Sequence, residues 1–550
     1  MKKYINNIIV LSLIIIILIF SSSFSSAAYQ IPEYISVGLY FTDPSVHVNT
    51  ALPSFNVNAV LGLQIGFFKD NVFYELYNEP TSSTLTVRKD TYFTTVNGAL
   101  REYDPLNNTI SAGDKYGPYH TKIGADYPDS AAANAQAIAF RQIGLQAYPV
   151  FADTWQVWTG SYIDEATAQL DIINNIRLLL GDGIYTVIPP MGNRIVVTDA
   201  VNKIMAIFGS DSAYFQVKPR SENNPNIFSI NDKKYRGSLE VKRLTASDMT
   251  VTNVISMQEY LYGNVPPEIG GNTNPEALKA QATASKMYAI NNLGKHKKTG
   301  FDLCATTNCQ VYKGYGSEVP ACNQAIDSIK DKVVTYNNKL AGQIFYFASS
   351  AGRTEDAQNV WGYAYPYLKS VEDKYERIYT WKKVLRASDV KAKIPNIGNI
   401  MGMSIMKTSE TGRVTQLAVR GDKRIDPAVY TLERCRTVFS LDSQLYSITT
   451  DADVYTSANV AGAIKTQLGA KKVISAEGIK TISSTNNKVA IIGAGGQQKS
   501  VAMVPETYTF TGQGWGHAVG LSQEGAIGMG KAGILYNEII EHYFPGTKVE

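Results

Sequence analysis

Residues 257–294 constrain the fold more than any other part of this 550-residue chain. Their second half is rich in alanine and begins with Asn274, Pro275 and Glu276. Asparagine caps a first helical turn well, proline fits the first helical position, and a carboxylate favours the positive end of the helix dipole. The pattern predicts a helix from Pro275 to about Asn292, whose small side chains allow close packing on one face.

Glu268 precedes that helix in the motif PPEIGG and is the candidate acid–base residue. Two prolines stiffen the backbone on one side of it, and two glycines permit unusual dihedral angles on the other. We therefore expect Glu268 in a turn between an apolar helix end and the packed alanine-rich helix. Loss of solvent there would raise the pKa of the carboxyl group towards the range that suits a general acid.

The sequence divides into regions of different pattern, and together they predict an α+β fold. Residues 34–117 alternate apolar and polar positions in short runs, which predicts a β-rich segment. Residues 118–190 predict the order βαββαβ of a ferredoxin-like module. A loop near PRSENNP then leads to a mixed catalytic domain over residues 230–550.

The βαββαβ module is similar to a SPOR domain in the run WQVWTGSYIDEATAQ. This resemblance implies binding to glycan strands stripped of their peptides, with Trp155, Trp158 and Tyr162 near a stacking surface. Strand alternation, however, predicts that some of these rings are buried. The alternative is a ferredoxin-like spacer, since a fold alone does not determine function.

The N-terminus has the pattern of an export signal. Two lysines precede an apolar run from Ile8 to Phe20, and small residues follow. This predicts a signal peptide over residues 1–28, or a membrane anchor if the segment is not cleaved. The net charge of +4 is spread over the chain, so nucleic acid is not an expected partner.

Four cysteines allow either disulfides or a metal site. Cys304 and Cys309 lie close to His296, and this trio has the ligand types of a zinc site. An exported chain with an even number of cysteines also permits disulfides, either Cys304 to Cys309 or a pair that includes Cys322 or Cys435. The spacing leaves both alternatives open.

Eight ordered blocks from Tyr235 onwards resemble the stage II sporulation protein D family and its amidase-enhancer branch. The blocks are YRGSLEV, MQEYLYGNVPPEIG, PEALKAQATASKMYA, CQVYKG, FASSAGRTEDAQNVWG, YPYLKSVED, GRV and GWGHAVGLSQEGA. The resemblance places the family's catalytic glutamate at Glu268 and implies a lytic transglycosylase that acts on peptidoglycan glycan strands in the cell wall. Zinc is not required by this chemistry, but some members bind it near the glutamate.

A lytic transglycosylase needs one carboxyl group, whereas most glycosidases pair two. Glu268 would protonate the leaving glycosidic oxygen and then accept the proton of the muramic acid hydroxyl at carbon six, which closes an anhydro ring. Surrounding polar groups would stabilise the transition state. The candidates for this substrate contact are Lys286, Tyr288, Ser350, Thr354, Tyr367 and His517.

Several positions depart from the family pattern. Lys286 stands in place of arginine, Phe347 in place of a histidine, and Asn308 in place of a histidine next to the second cysteine. The changes at Lys286 and Phe347, together with Ala348 in the run ASSAG, favour a second hypothesis, a non-catalytic wall-binding protein that recruits or enhances a cell-wall amidase. The intact Glu268 favours the enzyme, and both sporulation and vegetative roles remain open.

Overall fold

A computed structural model describes residues 31–550 except 71, 82, 108–112, 221–225, 246, 458–462, 470, 476–477, 483–486 and 493–494. The predicted signal segment 1–28 and most of the PRSENNP loop lie outside the described residues. Within the described part, no helix combines the length and the apolar character needed to cross a membrane. The fold is mixed and strand-rich, so the predicted α+β class is confirmed.

The first strand among the described residues, Tyr34–Tyr40, lies inside a seven-stranded sheet. It pairs antiparallel with Asp248–Ser256 and parallel with the short strand Leu303–Cys304. The spatial order of this sheet is Leu303–Cys304, Tyr34–Tyr40, Asp248–Ser256, Ser238–Leu244, Tyr214–Pro219, Leu63–Lys69 and Val72–Tyr77. Strands that lie more than 260 residues apart along the chain, Tyr34–Tyr40 and Leu303–Cys304, are therefore neighbours in one sheet.

A second sheet has ten strands. Their spatial order is Tyr185–Ile188, Tyr119–Ile123, Thr154–Tyr162, Ala147–Ala152, Ile204–Phe208, Ile195–Thr198, Thr84–Lys89, Ser54–Asn58, Ile227–Ile230 and Lys233–Arg236. The first four carry the helices Ser130–Gln142, Glu165–Asp171 and Arg177–Leu180, with the π-helical turn Ile172–Ile176 between the last two.

The predicted boundaries at 117 and 190 do not separate independent sheets. Ala147–Ala152 continues by parallel pairing into Ile204–Phe208, so the 118–190 region is one end of the larger sheet. Residue periodicity reports the faces of a strand but not its distant partner, so the shared sheet could not be read from the sequence, and the domain boundaries stay a prediction. Trp155 and Trp158 are buried. A SPOR-like role for this region stays a prediction, and neither indole supports a stacking surface.

The helices beside the two sheets surround one central helix. Pro275–Asn291, here called the alanine helix, contacts four others. These are Met257–Ile269, Pro320–Asp327, Gln523–Lys531 and Tyr536–Tyr543. The alanine helix starts at Asn274, whose side chain accepts a hydrogen bond from the N–H of Glu276, so its predicted cap is confirmed. Its small residues let the neighbouring helices approach closely.

The predicted 230–550 domain contains a second, separate hydrophobic core around Phe439 and Phe510. The helices around this core are Ala387–Ala392 and Arg434–Thr437. One sheet contains Thr380–Arg386, Thr507–Gln513 and Tyr446–Thr450. The other contains Ile400–Thr408, Val414–Gly421 and Ala428–Thr431. Residue pattern does not reveal this division, because it does not show which apolar faces meet.

The remaining elements are short. The strand pairs and triplets are Thr42–Asp43 with Val48–Asn49; Lys115–Tyr116, Phe93–Val96 and Ala99–Glu102; Lys339–Leu340, Val334–Tyr336 and Thr547–Val549; Tyr346–Phe347 with Leu521–Ser522; Asp453–Ser457 with Ala463–Gln467; Lys472–Ser475 with Gly478–Thr481; and Lys488–Ile492 with Gln498–Ala502. The short helical elements are Pro44–Val46, Lys297–Thr299, Tyr315–Ser317 and Ala357–Trp361.

Candidate functional site

Glu268 lies in the last turn of the helix Met257–Ile269, so its predicted position in a turn was wrong. Proline within a helix removes an N–H donor. Pro267 consequently leaves the carbonyl of Gly263 without its helical partner, and the backbone N–H of Lys313 donates to that carbonyl at 3.0 Å. A distant loop thus compensates for the proline, and the helix continues through Glu268.

That loop also holds the glutamate. The backbone N–H of Val311 donates to Oε1 of Glu268 at 2.8 Å. The side-chain amide of Asn264 donates to the carbonyl of Val311 at 2.9 Å. A Cβ on Gly263 would lie 2.6 Å from the ring of Tyr312, so only glycine lets the loop approach the helix this closely. The orientation of the carboxyl group is therefore fixed by backbone contacts.

Burial raises the pKa of Glu268 above its usual value. Hydrogen bonds from Val311, from the Tyr346 hydroxyl and from the Gln523 side chain oppose this rise. The side chain is only partly buried, so a ligand can still reach it. A partly exposed carboxyl group with a raised pKa has the properties that a general acid needs.

The hydrogen-bond partners of Glu268 include residues that the sequence analysis did not single out. Tyr346 accepts a hydrogen bond from the amide of Gln310 at 2.9 Å. Gln523 donates to Oε1 of Gln281, on the alanine helix, at 3.2 Å. Gln523 lies within the block GLSQEGA, so that block carried the only sequence signal for its role.

No described contact joins Lys286 to Glu268, and the amine of Lys286 is bonded to the backbone. Its side chain is 1% exposed. Nζ donates to the carbonyl oxygens of Ile329, Lys330 and Lys332 at 2.6, 2.9 and 2.7 Å. Burial lowers the pKa of Lys286 to about 8. The amine therefore stabilises a turn, because all three of its donors are used by the backbone.

Thr354 and Tyr367 are also buried, and no described contact joins either to Glu268. The Thr354 hydroxyl accepts a hydrogen bond from the N–H of Val371 at 2.8 Å. Tyr367 packs against Tyr336, with ring centroids 5.1 Å apart. Both side chains support the surrounding loops, in place of the predicted substrate contact.

Ser350 lies beside two further carboxyl groups, those of Asp373 and Glu376. Its hydroxyl lies 2.9 Å from Oδ2 of Asp373 and 3.1 Å from Oε1 of Glu376. Burial and the nearby Asp373 raise the pKa of Glu376. The Ser522 hydroxyl reaches Glu376 at 3.4 Å, and the next residue bonds Glu268. The adjacent residues Ser522 and Gln523 thus connect the carboxyl group of Glu376 to that of Glu268.

His517 lies among aromatic rings, 5.0 Å from Trp361 and 5.5 Å from Phe347 between ring centroids. Its Nδ1 accepts a hydrogen bond from the N–H of Val519 at 3.1 Å. Burial lowers the pKa of His517 to about 4. The imidazole is therefore neutral at pH 7 and does not supply positive charge to a transition state.

The predicted metal trio is brought together. The ligand atoms of His296, Cys304 and Cys309 all lie within 4.8 Å of one another. Nε2 of His296 is 3.2 Å from the sulfur of Cys309. A hydrogen bond from the Cys309 thiol lowers the pKa of Cys304. Two thiolates and one imidazole suit zinc and leave its fourth position open, so these residues fit that metal.

The disulfide alternatives are not formed in the described structure, where all four cysteines are free thiols. Cys322 lies in the large core and Cys435 in the second core. Tyr288 is the predicted site residue that does contact the trio, through a hydrogen bond with Cys309. Nζ of Lys295 donates to the hydroxyl of Tyr288 at 3.3 Å.

Comparisons with known proteins match this region to one family model. The Stage II sporulation protein family model matches residues 245–336, which include Glu268 and the metal trio. The amidase enhancer of Bacillus subtilis (strain 168) is 28% identical over 340 residues, 60% of this chain and 46% of that protein. Stage II sporulation protein D of the same organism is 26% identical over 313 residues, 54% of this chain and 74% of that protein.

An uncharacterized protein of Brachyspira hyodysenteriae (strain ATCC 49526 / WA1) is 27% identical over 329 residues, 58% of this chain and 74% of that protein. The matched part of this chain spans less than half the length of the amidase enhancer. The matches confirm the resemblance: this chain carries the sequence features of the stage II sporulation protein D and amidase-enhancer family.

Proposed function

We propose that this chain is a lytic transglycosylase that cleaves peptide-free glycan strands of peptidoglycan and leaves anhydro-muramic ends. The observation that carries the proposal is the state of Glu268, a partly exposed carboxyl group whose pKa is raised by burial. The proposal places the protein in the cell wall or extracytoplasmic space, with glycan strands as its partner.

The hydrogen bond from Val311 determines which oxygen acts. A backbone N–H can only donate, so Oε1 of Glu268 is an acceptor and the transferable proton lies on Oε2. That proton passes to the glycosidic oxygen as its bond to the sugar carbon breaks. The carboxylate then takes the proton of the hydroxyl at carbon six while that oxygen bonds to the sugar carbon, so no water is consumed.

The environment of Glu376 supports a mechanism with a single acid. Its Oε1 accepts from the Ser350 hydroxyl and the N–H of Gly352, and its Oε2 accepts from the Ser349 hydroxyl and the N–H of Ser350. A base that activates water needs a free oxygen, as in glycosidases with two carboxylates. Glu376 is occupied as a loop anchor and leaves the acid–base role to Glu268.

We also propose that His296, Cys304 and Cys309 hold zinc. When bound, the metal would cross-link its ligands, and the two thiolates would balance its charge. Cys309 is followed by Gln310, which bonds Tyr346, and by Val311, which bonds Glu268. Three consecutive residues thus connect the metal trio to the acid, and ligation by Cys309 would position the loop that orients it.

A second candidate function is a non-catalytic protein that recruits or enhances a cell-wall amidase. The similarity to the amidase enhancer favours it, as does the structural use of Lys286, Thr354 and Tyr367. The two candidates differ in whether Glu268 turns over substrate.

The test is incubation of the purified protein with peptide-free glycan strands, followed by mass spectrometry of the products. We expect anhydro-ended fragments from the wild type and none from Glu268→Gln at an unchanged melting temperature. Glu410→Gln, which changes an exposed loop glutamate, serves as the matched control. Hydrated reducing ends would rule out the transglycosylase, and absence of cleavage by the wild type would favour the amidase partner.

A further inference from the structure

We propose that Asp43 is a positioning residue for the zinc trio: it orients His296 so that Nε2 faces the two cysteines. Asp43 lies in the N-terminal part of the chain, outside residues 245–336 that match the family model. The inference rests on the proposed zinc site and adds a residue to it.

The two nitrogens of His296 face different partners. Nδ1 is 3.6 Å from Oδ2 of Asp43, and Nε2 is 3.2 Å from the sulfur of Cys309. A carboxylate accepts a hydrogen and cannot donate one, so Asp43 favours the tautomer that carries its hydrogen on Nδ1. The lone pair on Nε2 is then directed to the cysteine side. Histidine ligands of zinc commonly have a carboxylate on their other nitrogen.

Asp43 is itself held in place. Its Oδ1 accepts hydrogen bonds from the backbone N–H of Ser45 at 3.0 Å and from the Ser45 hydroxyl at 2.6 Å. These bonds cap the short helix Pro44–Val46. They occupy one carboxylate oxygen and leave Oδ2 for the imidazole. No sequence pattern indicated this arrangement, because Asp43 and His296 are far apart along the chain.

Aromatic packing fixes the plane of the imidazole. Phe301 stacks on His296 with ring centroids 5.0 Å apart, and Phe41 lies 6.0 Å away on a tilted ring. His296 is 4% exposed, so water does not compete freely for Nδ1. Gly38 makes room for Phe301, because a Cβ there would lie 2.4 Å from its ring. The segment 34–43 therefore forms one wall of the metal site.

The test measures zinc affinity of the full chain by competition with a chromophoric chelator. We expect Asp43→Asn to weaken zinc binding about tenfold to a hundredfold, the usual effect of losing such an outer partner. The amide oxygen still accepts from Ser45, so the helix cap is kept. Asp70→Asn makes the same change at an exposed turn residue, so it is the matched control, and we expect it to bind zinc as the wild type does.

A second measurement does not depend on a variant that folds. Nitrogen-15 spectra of the zinc-loaded wild type should show Nε2 of His296 bound to metal and Nδ1 carrying hydrogen, and the chain has only 5 histidines to assign. Metal on Nδ1, unchanged affinity in Asp43→Asn, or a wild type that binds no zinc would each overturn the inference. Because affinity is measured without substrate, failure of glycan cleavage would refute the proposed enzyme and leave this result standing.

Discussion

Gly263→Ala tests whether the fit between the helix of Glu268 and the loop 310–317 controls the acid. The new Cβ would lie 2.6 Å from the ring of Tyr312 and 3.1 Å from the backbone of Gly314. The first contact is closer than real side chains tolerate, so the loop must move. Val311 sits beside Tyr312 and would move with it, which lengthens its hydrogen bond to Glu268.

The expected loss of stability is small. Overpacking of this kind costs about 1–3 kcal/mol. Alanine in a helix interior is about 1 kcal/mol more favourable than glycine. We therefore expect Gly263→Ala to lower the free energy of unfolding by no more than about 2 kcal/mol, which leaves the protein folded. A fall in turnover much larger than this stability loss would come from the misplaced acid.

The pH dependence gives a second readout with a defined sign. The hydrogen bond from Val311 lowers the pKa of Glu268, against the larger effect of burial. Weakening that bond raises the pKa further. A general acid works in its protonated form, so activity falls as pH rises through the pKa. The alkaline limb of the kcat/KM profile should therefore move to higher pH in Gly263→Ala.

The assay compares release of anhydro ends, the pH profile and the melting temperature of wild type, Gly263→Ala and Gly316→Ala. Gly316 lies in the same loop but has nothing within 4 Å of an added Cβ, so it is the matched control. Full activity with an unshifted pH profile in Gly263→Ala would refute the argument that the loop orients Glu268. An equal loss in Gly316→Ala would refute it as well.

Two further predictions concern residues around the site. Lys286→Met should lower the free energy of unfolding by about 1–3 kcal/mol, because it leaves buried carbonyls without donors. Turnover of the folded fraction should stay the same. A selective loss of turnover would instead support a role in substrate binding. If zinc is bound, chelation should lower the melting temperature of the wild type but not that of Cys304→Ser. A reductant should change the melting temperature of neither protein; calorimetry and elemental analysis follow both treatments. Destabilisation by the reductant alone would point to a disulfide.

Local signals in the sequence were sufficient for the alanine helix. Asn274 and Pro275 determine its start through contacts within one turn, so neighbouring residues contain the needed information. The metal trio was found for a similar reason, since its ligands lie within a short segment. Both predictions depend on chemistry that acts over a few residues.

Other features depend on partners that a linear pattern does not reveal. Helix continuation through Pro267 requires the N–H of Lys313, and the hydrogen bonds of Glu268 require Gln523. The burial of Lys286 depends on carbonyl groups 43–46 residues further along the chain. Its positive charge suggested a ligand contact, whereas the fold uses that charge to satisfy backbone acceptors.

The position of the first strand affects how the chain folds as it is made. Tyr34–Tyr40 emerges early, yet both of its neighbours, Asp248–Ser256 and Leu303–Cys304, are synthesised much later. Until then the backbone N–H and C=O groups along its two edges have no strand partner, and an unpaired strand can pair wrongly with other chains. Contacts at such separation also slow folding. This strand can join the sheet only after both of its partners have been made, so the delay exposes it to mispairing during synthesis.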